Sequence, residues 1–149
     1  MKSILFVDNN PDFANTRAEF LEAAGYQVLK AISPSEAEEI LLHRWVPLAI
    51  LDVRLMDDND EKDVSGLSLA RLECFRPITK IFLSAYPSPE LTREMLRVQA
   101  VDQRLAVDFL GKEEGAEELI RRVDEAFAEH VHINWNLDID WKERDSFAL

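Results

Sequence analysis

The residues that most constrain the fold are Leu48, Ala49, Ile50 and Leu51, an apolar run that leads directly into Asp52. A run this short and wholly apolar is typical of a strand that is buried on both faces, as strands of a parallel sheet are. Asp52 then lies at the carboxyl end of the strand, where open α/β sheets bind their ligands. A strand-end aspartate on its own most often caps the next helix, so the role of Asp52 depends on which other groups come near it.

The rest of the chain alternates between strand patterns and helix patterns. Apolar runs predict further strands at 3–8, 26–31, 78–84 and 106–110. The run at 26–31 is the least apolar, which favours a position at the edge of the sheet. A helix pattern follows each of the five strands, and this alternation predicts a parallel sheet with helices on both faces.

Local signals mark where the first two helices begin and end. Asn10 is a favoured N-cap residue, Pro11 suits the first helical position, and Gly25 is expected to end that helix. The sequence Ser-Pro-Ser-Glu at 33–36 is a capping box, which predicts the start of the second helix.

Two later helices are predicted from the spacing of apolar residues. The third covers 64–75 and contains Cys74, the only cysteine, which we expect to be a packed thiol because no histidine lies near it in sequence. The fourth begins after Ser88 and includes Leu91 and Val98 at helical spacing.

Composition excludes several classes of function. The chain has 149 residues, enough for one domain with a sizeable core, and a net charge of -12 with no basic cluster. This charge argues against binding to nucleic acid or to an anionic membrane surface. No stretch is long enough to cross a membrane and the N-terminal apolar run is too short for a signal peptide, so a cytoplasmic protein is expected.

Polar side chains follow four of the predicted strands. Asp8 and Asn9 follow the first, Asp52 the third, Ser84 the fourth and Lys112 the fifth. Because parallel strands end at one edge of a sheet, these groups are expected to converge. Two carboxylates and an amide oxygen are ligands suited to Mg²⁺. A hydroxyl and an ammonium beside them suit a phosphoryl group, which an aspartate can accept as an acyl phosphate.

The chain resembles the receiver domain of two-component response regulators, the CheY-like domain. The resemblance covers about residues 1–128, and it depends on the combination of motifs because each motif alone is common. It implies an α/β, flavodoxin-like fold with a doubly wound five-stranded sheet of order 2-1-3-4-5. It divides the chain into a receiver domain at 1–128 and an extension at 129–149. The segments that carry the resemblance are 4–11 (ILFVDNNP), 51–52 (LD), 83–85 (LSA) and 109–112 (FLGK).

The resemblance also implies a role for each strand-end residue. Asp52 would be the phosphoacceptor, and Ser84 and Lys112 would contact the added phosphate. Tyr86 and Phe109 match, or lie near, the positions of the family's switch aromatics, although ordinary packing explains them equally well. The ligands implied for Mg²⁺ are Asp8, Asn9, Asp52 and the backbone carbonyl of Arg54.

The sequence departs from the family pattern at three places near this edge. Asn9 replaces the second acid, so we expect Mg²⁺ to bind weakly and phosphorylation to be slow or absent. Met56 replaces a proline and precedes an acidic insertion at 57–63. We expect this insertion to be an exposed, mobile loop because it has no apolar residue to anchor it and its charges repel; extra metal or partner contacts are the alternative. Glu113 replaces a proline whose preceding bond is usually cis, and because a cis bond there would cost about 2.5–4 kcal/mol, we expect a trans bond.

Residues 131–141 alternate between apolar and polar side chains, which predicts a strand outside the family pattern. The fifth helix is expected on the same face as the first, so a sixth parallel strand at that edge would need a left-handed crossover. The strand is therefore expected to pair antiparallel with an edge strand or with a second molecule. The second case is a homodimer that buries Trp135 and Trp141.

We interpret the chain as a phosphorylation-controlled switch. A histidine kinase or a phosphotransfer protein would phosphorylate it, and a downstream protein partner would respond. It is not expected to be an enzyme beyond self-phosphorylation from a phosphodonor and autodephosphorylation. The alternative is a degenerate receiver-like interaction module that is not phosphorylated. A third class, an Mg²⁺-dependent phosphohydrolase with an aspartate nucleophile, is disfavoured because Arg54 stands where a second acid would follow Asp52.

Overall fold

The computed structural model describes residues 2–100, 103–104 and 106–131. Within these residues strands and helices alternate as the sequence predicts, and a short hairpin is added before the last strand. The strands are β1 (Ser3–Val7), β2 (Gln27–Ala31), β3 (Leu48–Asp52), β4 (Thr79–Ser84), β5 (Val98–Ala100), β6 (Gln103–Arg104) and β7 (Asp108–Gly111). The helices are α1 (Pro11–Ala23), α2 (Pro34–His43), α3 (Ser65–Ala70), α4 (Pro89–Leu96) and α5 (Ala116–Glu129).

Five of the strands form one parallel sheet in the order β2-β1-β3-β4-β7. With β7 as the fifth strand of the pattern, this is the predicted order 2-1-3-4-5, so the predicted fold class is confirmed. The strand at 26–31 does lie at an edge. The register keeps the carboxyl ends of the strands level, because Val7 pairs with Leu51 and Ser84 pairs with Gly111. Polar residues that follow these strands therefore reach one edge of the sheet.

Apolar side chains fill both faces of this sheet. All residues of β3 are buried, as the apolar run before Asp52 predicts for a strand covered on both faces. On one face Phe6 and Ile50 pack with residues of α1 and α5, which confirms that the fifth helix shares a face with the first. On the other face Leu51 and Phe82 pack with residues of α2 and α3. Each fully buried side chain of this size contributes about 1.5–3 kcal/mol to the free energy of unfolding.

The predicted signals at the first two helices are confirmed. The side chain of Asn10 accepts a hydrogen bond from the backbone N–H of Phe13 (3.2 Å), and the hydroxyl of Ser33 accepts one from Glu36 (3.2 Å). Gly25 follows α1 with a φ of 101°, a backbone conformation that glycine adopts without strain.

The fourth helix is shorter than the spacing of its apolar residues predicts. α4 ends at Leu96, and Val98 begins β5, which pairs antiparallel with β6. The helical assignment of Val98 is therefore wrong. Arg97 already has an extended backbone (φ -69°, ψ 135°), and pairing of Val98 with Arg104 satisfies backbone groups that a longer helix would have satisfied.

The third predicted helix is divided in two. α3 ends at Ala70, and a separate 3₁₀ turn at Glu73–Phe75 follows because Leu72 has an extended backbone (φ -65°, ψ 148°). This break directs Phe75 into the core and leaves Cys74 exposed. The prediction that Cys74 is a packed thiol is therefore wrong.

Residues 132–149 lie outside the described residues. They carry nearly all of the strand predicted at 131–141, so that strand and the division of the chain into 1–128 and 129–149 stay predictions. In the part of the chain that the structure describes, no helix is long and apolar enough to span a membrane.

Candidate functional site

Four polar side chains lie at the carboxyl edge of the parallel sheet. Asp8 directly follows β1, Asp52 ends β3, Ser84 ends β4, and Lys112 directly follows β7. The exposed fractions of Asp8, Asp52 and Ser84 are only 0%, 3% and 2%, and the Lys112 side chain is 14% exposed. Buried charges without partners are costly, so the charged side chains of this group, Asp8, Asp52 and Lys112, stabilise one another.

Lys112 lies between the two carboxylates of this edge. Its Nζ is 2.8 Å from Oδ2 of Asp8, as an ion pair, and donates a hydrogen bond to Oδ2 of Asp52 at 3.3 Å. The other oxygen of Asp8 accepts a hydrogen bond from the backbone N–H of Asn10 (2.8 Å). A single ammonium therefore serves two buried acids from neighbouring strands.

The shared lysine leaves one negative charge in excess. Burial and then repulsion from Asp8 raise the pKa of Asp52 to about 7, although Lys112 acts in the opposite direction. Burial lowers the pKa of Lys112, but the hydrogen bonds and charges of Asp8 and Asp52 outweigh it and hold that pKa above its usual range. Lys112 thus stays charged near neutral pH, and a cation that approached the pocket would favour the ionised form of Asp52.

Asn9 contributes an oxygen to the same edge. Its Oδ1 is buried and has no hydrogen-bond partner within the described residues. A hard divalent cation would satisfy this oxygen together with the carboxylates of Asp8 and Asp52, so the residues present fit such an ion. Among residues 2–100, 103–104 and 106–131, no three His, Cys, Asp or Glu side chains are grouped closely enough to hold a metal. An ion here would therefore depend on amide and backbone oxygens in addition to two acids.

Ser84 is oriented by a local hydrogen bond. Its Oγ accepts the backbone N–H of Tyr86 at 2.9 Å. Since a hydroxyl is both donor and acceptor, its proton remains available for an acceptor in the pocket.

Comparisons with known proteins give structural matches. No protein-family model matches the sequence, and no curated protein matches it. A CheY-like response regulator receiver domain protein from Methanospirillum hungatei is 24% identical with a TM-score of 0.68, over 87% of this chain and 95% of that one. The N-terminal domain of a response regulator/sensory box/GGDEF 3-domain protein from Carboxydothermus hydrogenoformans is 25% identical with a TM-score of 0.66, over 88% and 100% of the two chains.

A third match is a response regulator from Burkholderia pseudomallei. It is 26% identical with a TM-score of 0.63, over 96% of this chain and 73% of that one. Its structure contains a phosphorylated aspartic acid, a calcium ion and citrate. Together with the strand order, these matches decide the architecture. This protein has the receiver fold. The resemblance to receiver domains, drawn from the four sequence motifs, is confirmed as a likeness of fold.

The two aromatic residues that the resemblance suggested as switch residues, Tyr86 and Phe109, lie in different environments, and their role as switch residues stays a prediction. Tyr86 is 53% exposed, and the guanidinium of Arg54 lies 4.2 Å from the centroid of its ring. Arg54 is held in turn by the backbone carbonyl of Asp58, to which it donates at 2.8 Å. Phe109 is half-buried and packs against the core beside β4. Tyr86 is therefore the more exposed of the two rings.

The acidic insertion has an anchor that the sequence prediction missed. Asp63 is 9% exposed, and its carboxylate accepts backbone N–H groups of Met56 (2.9 Å), Asp57 (2.6 Å) and Ser65 (2.9 Å). Burial alone would raise the pKa of Asp63, but these hydrogen bonds outweigh it and lower that pKa. The expectation that the whole insertion is exposed is wrong at Asp63, because an aspartate can anchor a loop through backbone donors where no apolar residue does so. The mobility of 57–62 stays a prediction.

Gly66 allows α3 to approach the strand that carries Asp52. A Cβ at this position would lie 2.0 Å from the backbone oxygen of Asp52, so a larger residue would displace the strand end. The N–H of Gly66 also donates to the carbonyl of Val53 at 2.9 Å. A glycine at the start of a helix after the insertion was the available signal, but its close contact could be recognised only in the fold.

The residue after Lys112 adopts the expected backbone. The peptide bond before Glu113 is trans, as predicted. A 3₁₀ turn at Lys112–Glu114 follows, and the carboxylate of Glu114 accepts the N–H of Gly111 at 2.6 Å. The turn thus fixes the backbone from which Lys112 reaches the two acids.

Proposed function

We propose that this protein is a response regulator receiver domain that accepts a phosphoryl group on Asp52 and changes its protein contacts in response. A histidine kinase or a phosphotransfer protein would supply the phosphoryl group, and a downstream protein would read the change. The observation that carries the proposal is the position of Lys112 between Asp8 and Asp52 at the carboxyl edge of a receiver-type sheet. The phosphorylated aspartic acid of the Burkholderia pseudomallei response regulator supports it.

In this reaction an oxygen of Asp52 bonds to phosphorus while the bond from phosphorus to the donor nitrogen breaks. The nucleophile must be ionised, and the Lys112 ammonium at 3.3 Å favours that form. The same ammonium then pairs with a phosphoryl oxygen, and the hydroxyl of Ser84 donates to another. Because Ser84 also accepts the N–H of Tyr86 at 2.9 Å, any movement of its hydroxyl toward that oxygen couples the new phosphate to the backbone beside the exposed ring.

Mg²⁺ is the cation that this proposal assigns to Asp8, Asn9, Asp52 and the carbonyl of Arg54. When bound, it supplies positive charge that neutralises the incoming phosphoryl oxygens. Asn9 brings one carboxylate fewer than the family pattern, and Mg²⁺ gives up its water reluctantly, so we expect weak binding and slow phosphorylation. We propose no enzymatic activity beyond self-phosphorylation and autodephosphorylation. The location that we propose is the cytoplasm.

The test is incubation with a small phosphodonor and Mg²⁺, followed by intact mass spectrometry. Wild type is expected to gain one phosphoryl group slowly, Asn9→Asp to gain it faster, and Asp52→Asn to gain none. Asp12→Asn, at an exposed position of α1, is the matched control and should behave as wild type. Uptake by Asn9→Asp alone would identify a degenerate receiver, and no uptake by either protein would refute the role of Asp52.

The homodimer predicted through 131–141 belongs to the same proposal. Removal of residues 131–149 followed by a mass measurement in solution tests it. A smaller assembly is expected if the tail builds the dimer, and an unchanged mass would refute this mode of association.

A further inference from the structure

An aromatic ring from α1 touches the same ammonium that pairs with the two acids. Phe13 lies in the first turn of α1, and the Nζ of Lys112 is 4.6 Å from the centroid of its ring. The guanidinium of Arg17 is 4.7 Å from the same ring, and its Nη2 donates to the backbone carbonyl of Lys112 at 3.5 Å. Two residues of one helix therefore contact both ends of the lysine.

The ring of Phe13 is itself held in place. It packs at a tilted angle of 58° against Phe6, with 6.3 Å between the ring centroids, and Phe6 is completely buried. Phe13 also belongs to the apolar packing between α1 and the sheet. A ring fixed in this way limits the conformations that the flexible side chain of Lys112 can adopt.

The contact between the ammonium of Lys112 and the ring of Phe13 is electrostatic as well as apolar. The face of an aromatic ring is electron-rich and attracts an ammonium. The Nζ of Lys112 is thus surrounded by the carboxylates of Asp8 and Asp52 and the ring face of Phe13. The two carboxylates attract the ammonium, and the ring restricts which conformations of the four rotatable bonds of Lys112 can bring it to them.

We propose that Phe13 is a positioning residue that holds the ammonium of Lys112 against Asp52 and thereby sets the rate at which Asp52 takes up phosphate. This inference rests on the proposed function for its effect on rate. The position of the ammonium itself can be tested without phosphorylation.

The competing explanation is that Phe13 only fills space between α1 and the sheet. Phe13→Leu removes the ring and keeps a large apolar side chain, whereas Phe13→Tyr keeps the ring. Phe20→Leu, in the same helix at a position that is 49% exposed, is the matched control for loss of a phenyl group. A space-filling role predicts no difference between leucine and tyrosine at position 13 beyond folding stability.

The experiment uses the full chain with carbon-13 in its lysine side chains. Carbon-13 relaxation of the ε-methylene group of Lys112 reports how tightly the end of the side chain is held, and it is expected to show a rigid group in wild type and in Phe13→Tyr and a more mobile group in Phe13→Leu. Uptake of phosphate from a small phosphodonor with Mg²⁺ is expected to slow roughly 2- to 30-fold in Phe13→Leu, the range that a cation–π contact supports, and to recover in Phe13→Tyr. Phe20→Leu should change neither readout.

Two results would overturn the inference. An equally rigid Lys112 ε-methylene group in Phe13→Leu would mean that the ring does not hold the ammonium. A more mobile group with unchanged uptake would mean that the contact has no effect on the reaction. If wild type takes up no phosphate, the proposed function and the effect on rate both fail, and the mobility of Lys112 alone then decides whether Phe13 holds the ammonium.

Discussion

Each end of the parallel sheet contains a lysine with little exposure to solvent, and the two lysines differ in what surrounds them. Lys80, the second residue of β4, is 4% exposed and donates to the backbone carbonyls of Phe75 (2.6 Å) and Ile78 (2.8 Å). Lys112, at the carboxyl edge, faces two carboxylates and a ring. Burial lowers the pKa of Lys80 to about 8, whereas the carboxylates hold the pKa of Lys112 above its usual range despite burial.

This difference separates a structural charge from a candidate functional one. Carbonyl oxygens satisfy the hydrogen bonds of the Lys80 ammonium but bring no opposite charge, so its charged form is only partly stabilised. The ammonium of Lys112 compensates acids that are themselves buried, and none of the three groups is stable in place without the others. Chemistry is therefore expected at the carboxyl edge, and the environment of Lys80 indicates a role in closing the turn before β4.

Removal of each lysine in turn is expected to give the largest difference in the free energy of unfolding. In the absence of Mg²⁺ at pH 8, Lys112→Met leaves Asp8 and Asp52 buried without a counter-charge and is expected to lower the free energy of unfolding by about 3–5 kcal/mol. Lys80→Met removes a costly buried ammonium but leaves two carbonyls unpaired, so a change within about 1–2 kcal/mol is expected. Urea unfolding measures both, and equal losses would contradict the distinction.

The second test removes the excess charge at the carboxyl edge. Because the pKa of Asp52 is about 7 when folded and 3.8 as its ordinary value, the folded protein holds this proton more tightly than the unfolded chain. The free energy of unfolding of wild type therefore falls as pH rises from 3.8 to about 7. Asp52→Asn is expected to be more stable than wild type by about 2–4 kcal/mol at pH 8.

Below pH 3.8, the ordinary pKa of Asp52, wild type and Asp52→Asn should be equally stable. Thermal or urea unfolding of wild type and Asp52→Asn without Mg²⁺, across the acidic and neutral range, measures the difference in stability below pH 3.8 and above about pH 7. If the advantage of Asp52→Asn were constant with pH, the buried carboxylate would not be its cause.

The third and smallest expected effect is the pH dependence of stability that Lys80 causes. The pKa of Lys80 is lowered from 10.5 to about 8, so between these values the unfolded chain binds more protons than the folded protein. The free energy of unfolding should rise with pH across this window, by about 1–3 kcal/mol at its upper end. Lys80→Met should lose this rise, which urea unfolding of both proteins above neutral pH would detect. Identical slopes would show that Lys80 does not titrate in this range.

The sequence was sufficient to predict features that depend on neighbours along the chain. The apolar run before Asp52 identified a central strand because full burial leaves no polar alternation. Asn10 and Ser33 identified helix starts because their side chains bond to backbone groups within the same turn. The strand-end positions of Asp8 and Lys112 followed from the single edge that parallel strands share.

Features that depend on distant contacts could not be predicted in this way. Val98 fits a helical spacing, and only its antiparallel pairing with Arg104 makes it a strand. Asp63 is indistinguishable in sequence from the exposed acids before it, yet it alone is buried among backbone donors. In the sequence Phe13 is only an apolar residue near the start of α1, and its contact with Lys112 depends on how α1 lies against the end of β7.

The central claim is that the phosphoryl group is accepted at Asp52 and at no other residue. An acyl phosphate reacts with hydroxylamine to give a hydroxamate at the modified carboxyl group. After treatment with a phosphodonor and saturating Mg²⁺, then hydroxylamine, tandem mass spectrometry is expected to locate the hydroxamate at Asp52 in wild type and, in higher yield, in Asn9→Asp. A hydroxamate at Asp8 or elsewhere, or none in either protein, would contradict the account.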